Sequence, residues 1–383
     1  MPALRPYAVL PGDVQDYRAS LVAALDGTGP ALAPNAGALP SAPLPDGLAL
    51  VVSTSGSTGV PKRAMLTAAA LRASAEATHE RLGGPGQWLL AMPAQHVAGT
   101  QVVVRSICAG TELLALEDFT VGGFVALTAE LTHERAYTAL VPTQLGRLLE
   151  TAPGSLRRYA AILLGGAAAP PALLARAAEE GLRVLTTYGM SETAGGCVYD
   201  GIPLSGVEVS LDDGRVVLSG PTIASGYLGD PERTSNAFDL ACTPRRFRTD
   251  DLGELHDGVL HVLGRLDDVI ITGGMKVAPS VVEAAVAGLP GVAEVVALAL
   301  PDPEWGNAVS VALVPRFGHA ERGISAPFSM SKTWDVRGLR EALRSELPAY
   351  ALPRRLLVLE QIPVRGPGKP DRVALAALPG WED

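Results

Sequence analysis

The sequence has few cysteines and no excess of basic residues, and each shortage narrows the class of protein. Cys108, Cys197 and Cys242 form neither a CxxC pair nor a disulfide framework, which indicates a reducing compartment and structural packing as their role. Lysine and arginine together number 31 against 40 acidic residues, so the formal net charge is −9. Without a broad basic field, the chain is not expected to bind nucleic acid or an anionic membrane.

Long hydrophobic runs are also missing. No uninterrupted apolar stretch reaches the ~18 residues that would span a bilayer. The first residues, MPALRPYAVLPGDVQ, show no basic segment followed by an apolar one, as a secretory signal would. These absences predict a chain without membrane insertion that is located in the cytoplasm.

Lysine is scarce, because arginine supplies nearly all of the positive charge. Because the compact charge of lysine occurs at so few positions, each lysine is a candidate functional residue. The lysines are Lys62, Lys276, Lys332 and Lys369.

Apolar residues are plentiful, at 48% of 383 residues, and can form the cores of two or three domains. A helix is predicted at about residues 12–25, followed by a Pro- and Gly-rich connector over 26–47. Apolar runs then alternate with helical patterns, which is typical of an α/β fold with a mostly parallel sheet covered on both faces. The runs are LALVVST (48–54), QWLLAMP (87–93), TELLALE (111–117), AYTALVP (136–142), AILLGG (161–166) and LRVLTTYG (182–189).

The pattern changes after residue 200. The stretches VEVSLDDGRVVLSG and GELHDGVLHVLG predict hairpins of a small β-rich subdomain. A smaller α+β unit follows, with a surface loop over 318–335. We therefore predict a large N-terminal domain over 1–265 and a C-terminal domain over 266–383.

The stretch STSGSTGVPKRAMLT, residues 53–67, has three interpretations. A linker would be flanked by polar sequence, whereas this one lies between an apolar run and a helical pattern. In a nucleoside-triphosphatase phosphate loop, lysine follows glycine directly and a hydroxyl residue follows the lysine, which Pro61 and Arg63 rule out. A strand, a Ser/Thr/Gly loop and a helix beginning near Leu66 would instead direct backbone NH groups at phosphate oxygens.

The segment TSGSTGVPK resembles the phosphate loop of the acyl-adenylate-forming superfamily, which includes acyl-CoA ligases, luciferases and peptide-synthetase adenylation domains. Further segments resemble the superfamily's other motifs, in the same order along the chain. They are LLGGAAAP (163–170), TTYGMSETAGG (186–196), FRTDDLG (247–253), GRLDDVIITGGMKVAP (264–279) and IPVRGPGKPDR (362–372).

This resemblance implies a nucleotide site for ATP with magnesium. Ser191 would touch the α-phosphate and Glu192 would hold Mg²⁺, although a solvated carboxylate is the plainer interpretation of Glu192. Asp251 would meet the ribose with help from Arg265, but Asp250 stands where glycine is usual. The β- and γ-phosphates would bind Thr54, Ser55, Gly56, Ser57, Thr58, Gly59 and Lys62, and adenine would bind beside Gly166, Ala167, Tyr188, Gly189 and Met190.

The resemblance also implies a mobile C-terminal domain. Lys369 would reach the substrate carboxylate and the α-phosphate during adenylation. The domain would then rotate about Asp267, withdraw Lys369 and bring Gly274 to a tunnel for the pantetheine arm of CoA.

The segment from His96 to Arg105, HxxGxxxxxR, together with TYGMSETAGGCVYDG (187–201), resembles actinobacterial o-succinylbenzoate:CoA ligases of menaquinone biosynthesis. The resemblance implies the dicarboxylate o-succinylbenzoate, ATP and CoA as substrates. His96 would line the acyl pocket, either as a catalytic group or by its shape. Arg105 would pair with an internal acid or with the second carboxylate of the substrate.

Other interpretations stay open. The chain could be another aryl- or acyl-CoA ligase, an adenylation enzyme that loads a carrier-protein thiol, or, from a different class, a non-catalytic nucleotide-binding module. A homodimer is also left open.

Overall fold

The apolar runs of the sequence form strands in the computed structural model, which describes residues 3–9, 13–54, 62–316, 334–365 and 369–383. The chain divides into two units: Met1–Thr249 with Leu255–His261, and Asp250–Glu254 with Val262–Asp383. The sequence prediction placed the domain boundary after residue 265.

The first unit contains most of the elements. Its strands are β1 (Leu4–Tyr7), β2 (Ala31–Pro34), β3 (Leu48–Thr54), β4 (Lys62–Thr67), β5 (Gln87–Leu90), β6 (Leu113–Ala115), β7 (Ala136–Leu140), β8 (Ala161–Leu164), β9 (Val184–Met190), β10 (Gly195–Tyr199), β11 (Ile202–Pro203), β12 (Glu208–Asp212), β13 (Arg215–Ser219) and β14 (Phe238–Asp239). Its helices are α1 (Val14–Leu25), α2 (Ala68–Leu82), α3 (Val97–Ala109), α4 (Val121–Ala129), α5 (Pro142–Thr151), α6 (Pro153–Leu156), α7 (Pro171–Glu179) and α8 (Pro231–Ala237).

Two strands, β15 (Arg246–His256) and β16 (Val259–Arg265), contain the residues at which the chain passes from one unit to the other. The elements of the second unit are β17 (Ile270–Thr272), β18 (Met275–Val277), α9 (Pro279–Ala287), β19 (Val292–Asp302), β20 (Gly306–Pro315), α10 (Val336–Ala342), β21 (Arg355–Val358), β22 (Val364–Arg365), β23 (Lys369–Pro370) and α11 (Arg372–Ala377).

The centre of the first unit is a seven-stranded sheet with the order β11-β10-β9-β8-β7-β5-β6. The strands from β9 to β6 run parallel, β10 is antiparallel to its neighbour β9, and the short edge strand β11 is antiparallel to β10. Because side chains alternate along a strand, Trp88 and Leu90 enter the core that includes α2 and α3. Leu89 and Ala91 enter the core on the other face, with α4 and α5. The predicted α/β class with a doubly covered sheet is confirmed.

The first apolar run lies outside this sheet, contrary to the prediction. Strand β3 belongs to a separate four-stranded sheet, parallel to β2 and antiparallel to β4. Strand β4 occupies the place where the helix was expected to begin, near Leu66. The helix α2 starts at Ala68 instead, because the hydroxyl of Thr67 accepts a hydrogen bond from the Ala70 amide at 3.2 Å and caps the first turn.

The two predicted hairpins after residue 200 are present, as β12–β13 and β15–β16. Asp213 and Gly214 link the first pair with φ angles of 49° and 79°, and Asp257 and Gly258 link the second with 51° and 80°. Positive φ at both turn residues defines the type I′ turn, which matches the twist of the flanking strands.

The second unit is built on the sheet β19-β20-β21. Helices α9 and α10 contribute to the core on one face, and α11 to the core on the other. The α+β class predicted for this unit is confirmed. The predicted loop over 318–335 lies, up to residue 333, outside the described residues. Within the described ranges, no helix combines the length and the apolar character needed to cross a bilayer.

Candidate active site

The first and last residues of the TSGSTGVPK segment lie at the ends of two paired strands. Thr54 is the last residue of β3 and pairs with Lys62, the first residue of β4. The residues between them lie outside the described part of the chain, and with them the predictions for Ser55, Gly56, Ser57, Thr58 and Gly59. The structure therefore fixes where the two ends of this loop are.

A tyrosine connects Lys62 to Glu192. The Lys62 ammonium lies over the Tyr227 ring, with Nζ 5.7 Å from the ring centroid, within the range of a cation–π contact. The Tyr227 hydroxyl donates a hydrogen bond to Glu192 Oε1 at 2.8 Å. Tyr227 is 3% exposed and Glu192 6%. The predicted phosphate-binding lysine and the predicted magnesium carboxylate thus contact the same side chain, which sequence reasoning missed.

Backbone hydrogen bonds hold this arrangement in place. Tyr227 forms an antiparallel bridge with Ala64 of β4, and the Ala224 amide donates to the Glu192 carbonyl at 2.9 Å. The Met65 amide donates to the Gly226 carbonyl, also at 2.9 Å. The segment from 224 to 227 is therefore fixed both to β4 and to the turn that carries Glu192.

The YGMSE segment is the end of β9 and the 3-10 turn that follows it, Ser191–Thr193. The Met190 amide donates to the Thr193 hydroxyl at 2.9 Å, and that hydroxyl donates to the Gly195 carbonyl at 2.7 Å. A Cβ atom on Gly189 would lie 2.2 Å from the Gly195 carbonyl oxygen. Glycine is required at 189 because β10 returns directly against it.

The predicted adenine residues lie together at the carboxyl edge of the parallel strands, where sites in such sheets are found. Gly166 has a φ of 85° and begins, with Ala167, the exposed loop after β8. Strand β9 is the neighbour of β8, with Leu164 opposite Thr186, so Tyr188 lies two residues beyond the end of β8. The stacking of adenine on Tyr188 stays a prediction.

His96 and Arg105, predicted for the acyl pocket, lie at different points of α3. His96 is the exposed N-cap residue, and Arg105 is buried in the third turn. With a rise of about 1.5 Å per residue, the two residues are roughly 13 Å apart along the helix axis. Packing requires the glycine of the HxxGxxxxxR motif, because a Cβ atom on Gly99 would lie 2.2 Å from the Pro93 carbonyl oxygen.

Arg105 is buried among aromatic side chains. It is 3% exposed, its guanidinium lies 5.2 Å from the centroid of the Trp88 ring, and its Nη2 donates to the Tyr199 hydroxyl at 3.2 Å. Over the described part of the chain, it forms no ion pair with Asp or Glu, and its Nε has no hydrogen-bond partner. The internal acid that the sequence led us to consider is therefore not found there.

Burial dominates the electrostatics around Arg105. It lowers the pKa of Arg105 itself. Burial and the nearby Arg105 charge also lower the pKa of His79 to about 4, so His79 is neutral at pH 7. Neutral His79 accepts a hydrogen bond from the Trp88 indole NH at 3.2 Å. These contacts favour a structural role for Arg105, while its binding to a substrate carboxylate stays a prediction.

The predicted ribose and hinge residues lie in the second unit. Arg265 forms ion pairs with Asp250 at 3.6 Å and with Asp267 at 3.5 Å. Burial tends to lower the pKa of Arg265, but the carboxylates around it, with Asp251 and Asp250 foremost, hold it above its usual range. Asp250, which departs from the family pattern, is thus a partner of Arg265, and the contact of Asp251 with ribose stays a prediction.

Gly274 is the second residue of the two-residue turn between β17 and β18. Gly273 and Gly274 have φ angles of 54° and 78°, again those of a type I′ turn. A Cβ atom on Gly274 would meet nothing within 4 Å, whereas one on Gly273 would lie 2.6 Å from the Trp305 ring. The backbone conformation therefore explains glycine at 274 without reference to a tunnel.

Lys369 is in the short strand β23, opposite Arg365 of β22. The chain is fixed immediately after it, because Asp371 caps α11 through the Ala374 amide at 3.0 Å. Arg372 forms ion pairs with Asp268 at 3.3 Å and Glu283 at 2.8 Å. The backbone around Lys369 is thus connected to the turn that contains the predicted hinge.

Glu192 fits a magnesium ion that arrives with a nucleotide. Within the described ranges, no group of three or more His, Cys, Asp or Glu side chains forms a metal cluster. Magnesium commonly takes one or two carboxylates and fills its other positions with phosphate oxygens and water. A buried carboxylate that shares the contact of Tyr227 with the predicted phosphate-binding lysine suits that mode of binding.

Two family models match the chain, one in each of its two predicted domains. The profile of the AMP-binding enzymes matches residues 12–228, and that of the AMP-binding enzyme C-terminal domain matches residues 281–369. The chain belongs to the AMP-binding enzymes, as the resemblance in its motifs implied.

Two relatives in that family carry the name 2-succinylbenzoate–CoA ligase. The chain is 45% identical, over 339 residues, to the probable 2-succinylbenzoate–CoA ligase of Mycobacterium tuberculosis, covering 86% of this chain and 84% of the relative. It is 30% identical over 341 residues to the 2-succinylbenzoate–CoA ligase of Listeria monocytogenes, covering 85% and 68%. The fold matches that of o-succinylbenzoate CoA synthetase (MenE) from Bacillus subtilis in complex with the acyl-adenylate intermediate OSB-AMP, with a TM-score of 0.76, 24% identity, and coverage of 98% of this chain and 84% of that one.

Proposed function

We propose that the chain is an AMP-forming acid–thiol ligase that converts o-succinylbenzoate (2-succinylbenzoate) and CoA to o-succinylbenzoyl-CoA in menaquinone biosynthesis. The observation that carries this proposal is the 45% identity, over 86% of the chain, with a probable 2-succinylbenzoate–CoA ligase. The nucleotide-side residues around Lys62, Tyr188 and Glu192 support it, because their elements meet at one edge of the first unit.

In the first step, an oxygen of the substrate carboxylate attacks the α-phosphorus of ATP, and pyrophosphate leaves. Two anions approach each other, so positive charge and hydrogen-bond donors at the phosphates lower the barrier. Lys62 and the loop from Thr54 would bind the departing β- and γ-phosphates, while Ser191 and Lys369 would act at the α-phosphate. Magnesium held by Glu192 would neutralise part of the phosphate charge.

In the second step, the CoA sulfur attacks the acyl carbon of the adenylate, the thiol proton leaves, and AMP departs with the carboxylate oxygen. Lys369 is needed only in the first step if the C-terminal domain rotates about Asp267. Gly274 would then lie along the path of the pantetheine arm.

Assays with the purified chain, ATP, Mg²⁺ and CoA test the proposal. We expect a CoA thioester with o-succinylbenzoate and at least a hundredfold lower kcat/KM with benzoate or a fatty acid. A preference for another acid would support a different acyl-CoA ligase, and transfer only to a carrier-protein thiol would support a loading enzyme. Absence of acid-dependent exchange of pyrophosphate into ATP would support the non-catalytic nucleotide-binding module.

The magnesium ion, a homodimer and the cytoplasmic location stay predictions from the sequence. Light scattering of the purified chain measures the oligomeric state. Titration of the exchange reaction with Mg²⁺ tests the metal requirement, and we expect no exchange in excess EDTA.

A further inference from the structure

Tyr227 lies between two residues to which the proposed function gives roles at the phosphates of ATP. Its hydroxyl donates to Glu192 Oε1 at 2.8 Å, and its ring faces Lys62 Nζ at 5.7 Å from the centroid. All three residues belong to the first unit. A change at Tyr227 therefore reaches both partners without passing through the second unit.

The surroundings hold the ring of Tyr227 in one position. Its backbone bridges to Ala64 of β4, and its ring meets Phe238 edge to face, with centroids 5.2 Å apart. The side chain is 3% exposed, and a buried tyrosine hydroxyl needs a polar partner. The hydroxyl can therefore serve as a fixed donor to Glu192.

Glu192 depends on such a donor. A carboxylate that is 6% exposed is costly to keep charged without hydrogen bonds. A hydrogen bond to an ionised acceptor is stronger than one between neutral groups and restricts the rotation of the carboxylate. The group that binds magnesium would thus be oriented before the nucleotide arrives.

We propose that Tyr227 is a positioning residue that orients the Glu192 carboxylate toward the magnesium ion of MgATP. This inference rests on the proposed function, because it needs Glu192 to meet the metal. Tyr227 itself touches neither the metal nor the acid in this account. Its effect should appear in MgATP binding and not in ATP binding without the metal.

The variant Tyr227→Phe removes the hydroxyl and keeps the ring for Lys62 and Phe238. Tyr159→Phe is the matched control, because Tyr159 is also buried, at 6% exposed, and its hydroxyl bonds with the Thr128 hydroxyl at 2.7 Å in the core on the other side of the sheet. Each variant loses one buried tyrosine hydroxyl, so a general loss of stability would affect both.

Calorimetric titration with ATP, in Mg²⁺ and separately in EDTA, gives the deciding comparison. For Tyr227→Phe we expect the Kd of MgATP to rise about tenfold, the scale of one hydrogen bond to a charged group, with less than a twofold change in EDTA. Tyr159→Phe should change neither value. In a Glu192→Gln background, Tyr227→Phe should add less than twofold, because the carboxylate that the hydroxyl orients toward the metal is already absent.

An unchanged Kd for MgATP in Tyr227→Phe, an equal loss with and without Mg²⁺, or full additivity with Glu192→Gln would overturn the inference while leaving the proposed ligase intact. A wild-type chain that does not bind MgATP would instead overturn the proposed function, and this inference with it.

Discussion

Arg105 shows how a guanidinium can be held in a protein core without an acidic partner. The Trp88 ring lies against it, the Tyr199 hydroxyl accepts one of its hydrogen bonds, and His79 beside it stays neutral. Arginine suits such a site, because its charge is delocalised and it stacks on aromatic faces.

Replacing Arg105 with methionine separates a structural role from substrate binding. We expect Arg105→Met to leave the KM for the dicarboxylate within about threefold, because the side chain is buried and its Nη2 is bonded to Tyr199. The free energy of unfolding should stay equal or rise by up to about 2 kcal/mol, as when other buried charges are replaced by apolar groups. Steady-state kinetics and urea unfolding measure both quantities.

A role for Arg105 in substrate binding predicts a different result. A KM for the dicarboxylate raised thirtyfold or more, about 2 kcal/mol, with the KM for ATP unchanged, would show that Arg105 binds the second carboxylate.

At the scale of residues, the sequence could indicate the candidate site residues that occur within short motifs. Tyr188 and Glu192 occur in one short segment, and Lys62 and Glu192 both contact Tyr227. Tyr227 could not be predicted in this way, because its contacts join residues far apart in the chain. Its immediate neighbours in the stretch SGYLG, residues 225–229, include no charged group that would have singled it out.

At the scale of elements, three hairpins share the same type of turn. The turns after β12, β15 and β17 each contain two residues with positive φ, and each ends in glycine: Gly214, Gly258 and Gly274. Turn chemistry is local, which is why the sequence predicted the first two of these hairpins, whereas the third, β17–β18, was not predicted. Strand β4 was missed, because its pairing with β3 is a tertiary contact that the pattern KRAMLT does not encode.

The common geometry allows a controlled test of Gly274. Gly258 has the same turn position, a φ of 80° against 78°, and no atom within 4 Å of an added Cβ. Asparagine tolerates positive φ, so Gly274→Asn and Gly258→Asn should each cost no more than about 1 kcal/mol of stability. If CoA passes Gly274, then Gly274→Asn should slow thioester formation from preformed acyl-adenylate at least tenfold and leave adenylation unchanged.

Gly258→Asn should affect neither half-reaction. Equal rates for the two variants in the second half-reaction would mean that Gly274 is there for its backbone conformation alone.

At the scale of the whole molecule, the chain forms two units, each with its own hydrophobic cores. The α/β class of the first unit and the α+β class of the second could be predicted, because apolar periodicity and turn residues are properties of the sequence. The separation of β3 from the main sheet could not be predicted, because an apolar run does not determine which strands it pairs with.

A reaction divided between two arrangements of the units predicts a split effect for Lys369. The variant Lys369→Ala should slow adenylation, measured by pyrophosphate exchange, at least a hundredfold, the usual cost of losing one charged group at the reacting phosphate. Thioester formation from preformed acyl-adenylate should change by less than about threefold. Equal losses in the two half-reactions would contradict the rotation about Asp267.

The most direct test of the account follows one oxygen atom. If the succinyl-arm carboxylate of o-succinylbenzoate attacks ATP, labelling that carboxylate with ¹⁸O transfers one labelled oxygen to AMP when the CoA thiol displaces it. Mass spectrometry of AMP after turnover by the wild-type chain should show one ¹⁸O from this substrate and none when only the aromatic carboxylate is labelled. Thioester formation with unlabelled AMP from the succinyl-arm label would contradict an acyl-adenylate at that position.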